Sequence, residues 1–411
     1  MAARRTPMRW PATWKDPATL ALLKGTAVDC LLLEKGAGLG PIAARAQQEG
    51  LMVAEAGAPP PGVTVTDGEW PGVKLTASGT PDRVSAGPTG VPWVDANGWK
   101  IRLMAALHPG TDIWVEAVPV APRLFPESYI IGVADAAAHG GRWIISLDER
   151  MAAGVAAGNP EALRAWKTLT GAAGFFSAHE EWLQYVPAAV VGIISDFGGQ
   201  NETMSHEILN LVARTNQQYR IILKKGFSKA CFQGLRAVIY ADEDPPAPDL
   251  RKEALAFVRS GAMLITGPRW GELPGRPLAG VEHPRYELRA FGRGRLAVSR
   301  ADLDDPYLIA SDSMVLISHR HALVRFWNAG AVGSHLAVTP DRKRAVLQMV
   351  FYARLFGDNR PSVRIAGRYR QTRLWTLDQE SPGAVETETQ RNAVEAHLPP
   401  VTGYAAVELE V

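Results

Sequence analysis

The sequence predicts an α/β protein in three parts: a shortened (β/α)8-type barrel, a doubly wound amidotransferase-like α/β domain and a small antiparallel β domain. Three observations predict it. Short apolar runs alternate with capped helical segments over residues 1–150; the alternation restarts at Ala188 with longer spacing; and beyond Pro361 only strand-like runs remain. At 411 residues the chain is also too long for one ordinary core. The expected boundaries are 1–186, 187–358 and 359–411.

In the first part, strand-like runs fall at 7–10, 28–33, 51–54, 63–66, 73–75, 113–118 and 143–147, and an eighth around 91–94 would complete the barrel count. Between them, Asp16 caps a helix that Pro17 opens and Gly25 stops. Residues 41–49, closed by Gly50, repeat that pattern, and 129–139 form a third helix ended by Gly140-Gly141. Strand, helix, strand in sequence argues for a parallel sheet with crossover helices. A full barrel takes about 250 residues, so helices are missing here, above all between Pro59 and Pro92, where Gly and Pro dominate. Asn159-Pro160-Glu161 opens a helix to about Thr170, and 175–185 bridges to the next part.

In the second part, a strand at 188–195 ends in Asp196-Phe197-Gly198-Gly199. A helix at 201–216, strands at 219–223 and 237–240, a helix at 248–259 and a strand at 262–266 follow, with a closing helix at 341–355. Short apolar strands between amphipathic helices mark an open doubly wound sheet. The third part has strand-like runs at 363–365, 372–377, 392–397 and 405–411 and turns at Ser381-Pro382-Gly383 and Pro399-Pro400.

Composition excludes several function classes. A net charge of +2 offers no concentrated basic face for nucleic acid. No run of 18 apolar residues occurs, so no membrane span is expected. Met1-Ala-Ala-Arg-Arg-Thr-Pro has no apolar stretch behind its arginines and is not a signal peptide, which leaves a cytoplasmic chain or an exported mature form. Cys30 and Cys231 read as buried thiols. No metal or cofactor is expected: His206-Glu207 and His319-Arg320-His321 lack companion clusters, and Gly36, Gly38 and Gly40 depart from the dinucleotide spacing.

Three passages carry a family resemblance: Ala86-Gly87-Pro88-Thr89-Gly90-Val91-Pro92-Trp93-Val94-Asp95-Ala96-Asn97-Gly98-Trp99, Gly141-Arg142-Trp143-Ile144-Ile145-Ser146-Leu147-Asp148 and Val191-Gly192-Ile193-Ile194-Ser195-Asp196-Phe197. With the three-part order they resemble the trimeric β-galactosidase type of glycoside hydrolase, and more closely the glycoside-hydrolase-like proteins of that build. The resemblance implies a hydrolase acting on an oligo- or polysaccharide, and a homo-oligomer, dimer or trimer. The barrel is shorter than that family's, and its acid-bearing Asn-Glu pair is not found at a strand end of the barrel part. Its catalytic residues are therefore not carried over. The rival reading is a catalytically silent glycan-binding or assembly protein on the same scaffold.

Cleaving a glycosidic bond takes two carboxyl groups facing across it, and a barrel presents such groups where its strands end. The strand ends offer Glu34, Glu55, Asp67 or Glu69, Asp95, Glu116 and Asp148. Glu116 stands inside the apolar run Asp112-Ile113-Trp114-Val115-Glu116, where a carboxylate without a partner is costly; with Asp148 and Asp95 it forms the catalytic assignment. Competing roles are plain: helix caps for Asp95 (helix 98–107) and Asp148, and a salt bridge from Glu116 to Arg142 or Lys100. Among the 12 tryptophans, Trp93, Trp99 and Trp114 are expected sugar platforms. Asn97, Glu69, Trp70 and Glu34 complete the expected binding set. The middle domain lacks a cysteine at its elbow, Thr266-Gly267-Pro268-Arg269, and so lacks the nucleophile of an amidotransferase. Asp196, Asn201 and Glu202 there read as loop solvation.

Overall fold

The computed structural model describes residues 4–77, 84–86, 93–119, 125–353 and 360–411. Pro7–Arg9, Cys30–Leu33 and Met52–Glu55 form one parallel three-stranded sheet, and Val63–Asp67, Asp112–Glu116 and Arg142–Trp143 form another. A parallel bridge from Met8 to Ile145 joins them, with the Arg9 N–H donating to the Ile145 carbonyl at 2.9 Å. Alternation along the strands then sorts the side chains. Cys30, Leu32, Trp114 and Ile144 gather with Met52, Ala54, Val63 and Val65 in one apolar cluster. Met8, Leu31, Leu33, Ile113, Val115 and Ile145 join the larger core beneath the helices. A cluster drawn from both edges and the middle of a sheet requires that sheet to curl, with Trp114 as its plug.

The curl does not close: among the described residues no ladder joins Met52–Glu55 to Val63–Asp67. The expected eight-strand count is thus corrected. The run at 73–75 lies in Gly72–Ala77, which pairs antiparallel with Trp93–Asp95, outside the parallel sheet. Residues 91 and 92 of the expected eighth strand lie outside the described residues. Among the described residues, the chain between Asp67 and Asp112 holds this ribbon and the helix Gly98–Leu107, and no further strand–helix unit. The helices follow their caps. Asp16 accepts from the Ala18 N–H at 2.9 Å, although the helix it starts, Pro17–Leu23, is of the tighter 3-10 type. Pro160–Ala178 runs as one helix, longer than expected.

The middle part is a seven-stranded sheet ordered Tyr219–Leu223, Val191–Ser195, Ala237–Tyr240, Met263–Thr266, Gly294–Ser299, Tyr286–Phe291 and Arg276–Pro277. The first five are parallel and the last two antiparallel. Strand order reverses at Val191–Ser195, the switch point of a doubly wound sheet.

The expected helix at 341–355 is a strand. Arg344–Phe351 pairs with Val332–Val338 and Tyr404–Glu410 in a five-stranded antiparallel sheet; residues 354 and 355 lie outside the described residues. From Ala345 to Phe351 every residue is buried. A strand covered on both faces shows no alternation, and periodicity cannot separate it from a buried helix. A four-stranded sheet of Val324–Trp327, Ser362–Ala366, Ala393–His397 and Glu386–Gln390 packs on the other side of a shared core. The opposite face of the five-stranded sheet, through Val346, Val350, Tyr352 and Tyr404, enters the core of the first part.

Candidate functional site

The mouth of the incomplete barrel is the first place to look. Strand parity puts Arg9, Glu34, Asp67 and Glu116 on the concave face, at the carboxyl ends of their strands and above Trp114, where barrels carry chemistry. Arg9 Nη1 donates to Glu34 Oε2 at 2.9 Å, and its Nη2 donates to Glu116 Oε1. One guanidinium therefore binds both carboxylates. The salt bridge weighed for Glu116 exists, but its partner is neither Arg142 nor Lys100: Arg142 pairs with Glu180, and Lys100 Nζ donates to the Asp67 carbonyl at 3.0 Å. At the other end of the concave face Arg4 pairs with Asp112, whose second oxygen accepts from Trp114 Nε1 at 2.9 Å. Trp114 is 0% exposed, a core side chain with no face open to a sugar.

Asp148, 6% exposed, caps the helix Glu149–Ala156. Its Oδ1 accepts from the Met151 N–H at 2.9 Å and its Oδ2 from the Tyr129 hydroxyl at 2.7 Å. Burial, reinforced by that carboxylate, raises the Tyr129 phenol above its ordinary range and keeps it a donor. Trp70 stands edge-to-face against Tyr129 at 5.3 Å and Trp143 at 5.0 Å, on the helix side of the sheet. The Glu69 side chain is exposed.

Trp93, Asp95, Asn97 and Trp99 gather elsewhere, where the first part meets the other two. Asp95 Oδ1 accepts from Trp93 Nε1 at 3.2 Å, and the cap position of the helix Gly98–Leu107 belongs to Asn97. Asn97 makes no cap bond. Its amide oxygen accepts from the Glu69 N–H at 2.9 Å, and its Nδ2 donates to the Glu69 carbonyl and to Asp135 Oδ2 at 2.9 and 3.0 Å. The Arg214 guanidinium lies 3.8 Å over the Trp93 ring, and Trp99, half-buried, faces His206 at 5.4 Å. The sequence-chosen residues thus divide between mouth, core and junction.

Two residues that sequence reasoning missed organise these places. Arg9 is one; its signal is a charge between Met8 and Trp10 in an apolar strand. Asp135 is the other: it is 0% exposed in the helix Pro126–Ala138 and accepts from the Asn97 N–H at 2.8 Å and the Tyr352 hydroxyl at 2.7 Å. A carboxylate among Ile130, Val133 and Ala136 is the same signal that singled out Glu116. Beside it, the His139 and His335 rings lie tilted to one another with centroids 5.7 Å apart. Burial lowers both imidazoles, against an opposing pull from Asp135 on His139, with Arg102 pushing the same way as burial.

At the carboxyl ends of the middle sheet, Asp196, Asp242 and Asp244 bring carboxylate oxygens within 4.8 Å of one another, a set that could hold a metal ion. Lys224 Nζ stands among them, 2.6 Å from Asp242, 2.9 Å from Asp244 and 3.6 Å from Asp196. Burial pulls this ammonium down, but hydrogen bonds to Asp242 and Asp244 outweigh it and lift Lys224 above its usual value. Asn201 Nδ2 ties Asp244 to the cluster at 2.9 Å. Asp196 and Asn201 therefore belong to a hydrogen-bonded network of three carboxylates around one ammonium rather than to loop solvation.

No family model matches the sequence, and no curated protein does. Solved structures match in fold. Alpha-L-fucosidase isoenzyme 2 from Paenibacillus thiaminolyticus aligns over 100% of this chain and 100% of its own, at TM-score 0.54 and 9% identity. A β-galactosidase from Bacillus circulans sp. alkalophilus covers 76% of this chain and 57% of its own, at TM-score 0.50 and 12% identity. A rhamnosidase from Novosphingobium sp. PP1Y covers 91% of this chain, at TM-score 0.52 and 11% identity, while this chain spans only 38% of it. The likeness at such identities is one of fold, and the chain carries a glycoside-hydrolase-like fold of mixed α/β type.

Proposed function

We propose that this chain recognises carbohydrate on a glycoside-hydrolase-like scaffold and does not cleave it. The observation that carries the reading is the Arg9 guanidinium bound to both Glu34 and Glu116. Hydrolysis needs one carboxyl to deliver a proton and a second to attack or to activate water across the scissile bond. Here Glu34 and Glu116, two of the three carboxylates at the mouth, share one cation that stands between them. Asp148 is committed to a helix cap and to Tyr129. Carbohydrate as ligand class is supported by the fold, since the matching structures are a fucosidase, a β-galactosidase and a rhamnosidase. Half-buried Trp99 adds an indole of the kind sugars pack on.

One observation favours hydrolysis instead: Glu34 and Glu116 converge on one mouth, so a substrate that displaced Arg9 would find two carboxyls. A glycan panel scored for both binding and new reducing ends, with wild-type chain and Glu116→Gln, separates the readings. Binding without release supports the proposal. Release abolished by the substitution would establish a hydrolase, and binding to no glycan would overturn the carbohydrate reading.

A further inference from the structure

Where the helix Gly98–Leu107, the helix Glu202–Arg214 and the strand Val332–Val338 meet, they leave a cleft of about 170 Å3. Its wall carries Arg102 and Arg214 and, among the described residues, no carboxylate. Arg102 is half-buried, lies 3.8 Å over the Tyr219 ring and donates to the Tyr219 carbonyl at 2.5 Å. Among the described residues it has no ion-pair partner. Withdrawing a guanidinium from water without an opposite charge is costly. Arg214 stacks on Trp93, and the carboxylates that act on it, Asp95 and Glu207, are not part of the wall.

Two glycines shape the floor. A Cβ on Gly98 would meet the His139 ring at 2.4 Å, and one on Gly333 would stand 3.0 Å from the Tyr352 ring. Glycine at 98 is required for the His139 ring to close the cleft from below, and glycine at 333 spares the Tyr352 ring a tight contact. The first turn of the helix Gly98–Leu107 also opens into it through Gly98 and Trp99, with no side-chain cap on its N–H groups, and such a turn favours an anion.

We infer that this cleft binds an anionic sugar unit, a single monosaccharide residue carrying a carboxylate or a sulfate. Arg102 and Arg214 take the anionic group, for which the guanidinium fork is suited, and the Trp99 indole takes the apolar face of the ring. The sugar ring rests on the carbohydrate reading above; the anion rests on the charge of the wall alone. A cavity of about 150 Å3 admits a six-membered ring, so the cleft has room for about one sugar residue.

Titration calorimetry of the full chain with galacturonate, galactose 6-sulfate and neutral galactose tests this. At least one anionic sugar binds about tenfold or more tightly than galactose, binding weakens as salt rises from about 50 to about 500 mM, and the two anionic arms show which group is preferred. Arg102→Gln lowers that affinity about tenfold. Asn210→Asp, which puts a carboxylate into the wall at unchanged volume, lowers it similarly and decides the matter if Arg102→Gln fails to fold. Galactose binding as tightly as the better of the two anionic sugars, or anionic-sugar binding unmoved by Asn210→Asp, overturns the inference and leaves carbohydrate recognition standing. Failure of every sugar, charged or neutral, overturns both.

Discussion

At the barrel mouth, carboxylates outnumber cations and share them: Glu34 and Glu116 divide Arg9 between them. At the junction cleft the arrangement is reversed, with two guanidiniums in the wall and no carboxylate among the described lining residues. The mouth holds the residue types that a glycosidase needs, yet Glu34 and Glu116 are both held by a cation from within the sheet. The cleft holds residue types that sequence reasoning passed over, and among the described lining residues none is a carboxylate. A charged side chain in an apolar setting tells a reader that a partner exists. Only the fold tells whether that partner is another residue or a ligand.

Substitutions at the mouth and at the cleft are expected to differ in cost. The largest effect is expected in the core beneath the mouth: Trp114→Ala lowers stability by about 3–5 kcal/mol, whereas Trp99→Ala at the cleft costs under ~1 kcal/mol and removes sugar binding. Urea midpoints for both variants check this, and similar losses would erase the distinction between plug and platform. Next comes Asp135→Ala, which strips the acceptor from Asn97 and Tyr352 and costs about 3 kcal/mol. A loss below ~1 kcal/mol would mean that the junction is not held by this carboxylate. Arg9→Met leaves Glu34 and Glu116 facing each other without a counter-ion. Because the Glu34 side chain is 53% exposed, solvent tempers the cost to about 1–2 kcal/mol, and Glu34→Gln in the Arg9→Met background recovers part of it.

The smallest effect is a pH dependence. Burial holds His139 and His335 below the ordinary imidazole value of 6.5. Below that value the unfolded chain binds more protons than the folded one, so stability falls as pH drops under about 6.5 and is fully present above it. Asp135 opposes the shift on His139, and Arg102 reinforces it on both rings. Thermal unfolding at pH values of about 7.5 and 5.5 follows it, with a loss on the order of 1 kcal/mol that His335→Gln reduces.

Much of the strand order is legible in the sequence because the sheets of the first two parts are bounded by turns and caps with clear chemistry, such as Asp16-Pro17 and Asn159-Pro160. The curl of the first sheet is not legible, since closure depends on whether 52–55 and 63–67 pair, and no local pattern encodes that. Arg344–Phe351 escapes for a different reason: burial on both faces erases the period that marks a strand. Of the candidate site, the unusual position of Glu116 is readable from its apolar neighbours. The identity of its partner is not, because Arg9 lies in another strand, 107 residues away in sequence. Asp135 was equally readable by the same rule, and attention to strand ends alone hides it inside a helix.

Nitrophenyl glycosides give the most direct test of the central claim, because their leaving group departs without a proton from an acid and so reports whether the Glu34–Glu116 mouth can cleave at all. Nitrophenol release would be followed over a set of such glycosides, with wild-type chain and Glu116→Gln. Release is expected to be no faster than in buffer, from a chain that still binds sugar. Release by the wild type that disappears in Glu116→Gln would contradict it.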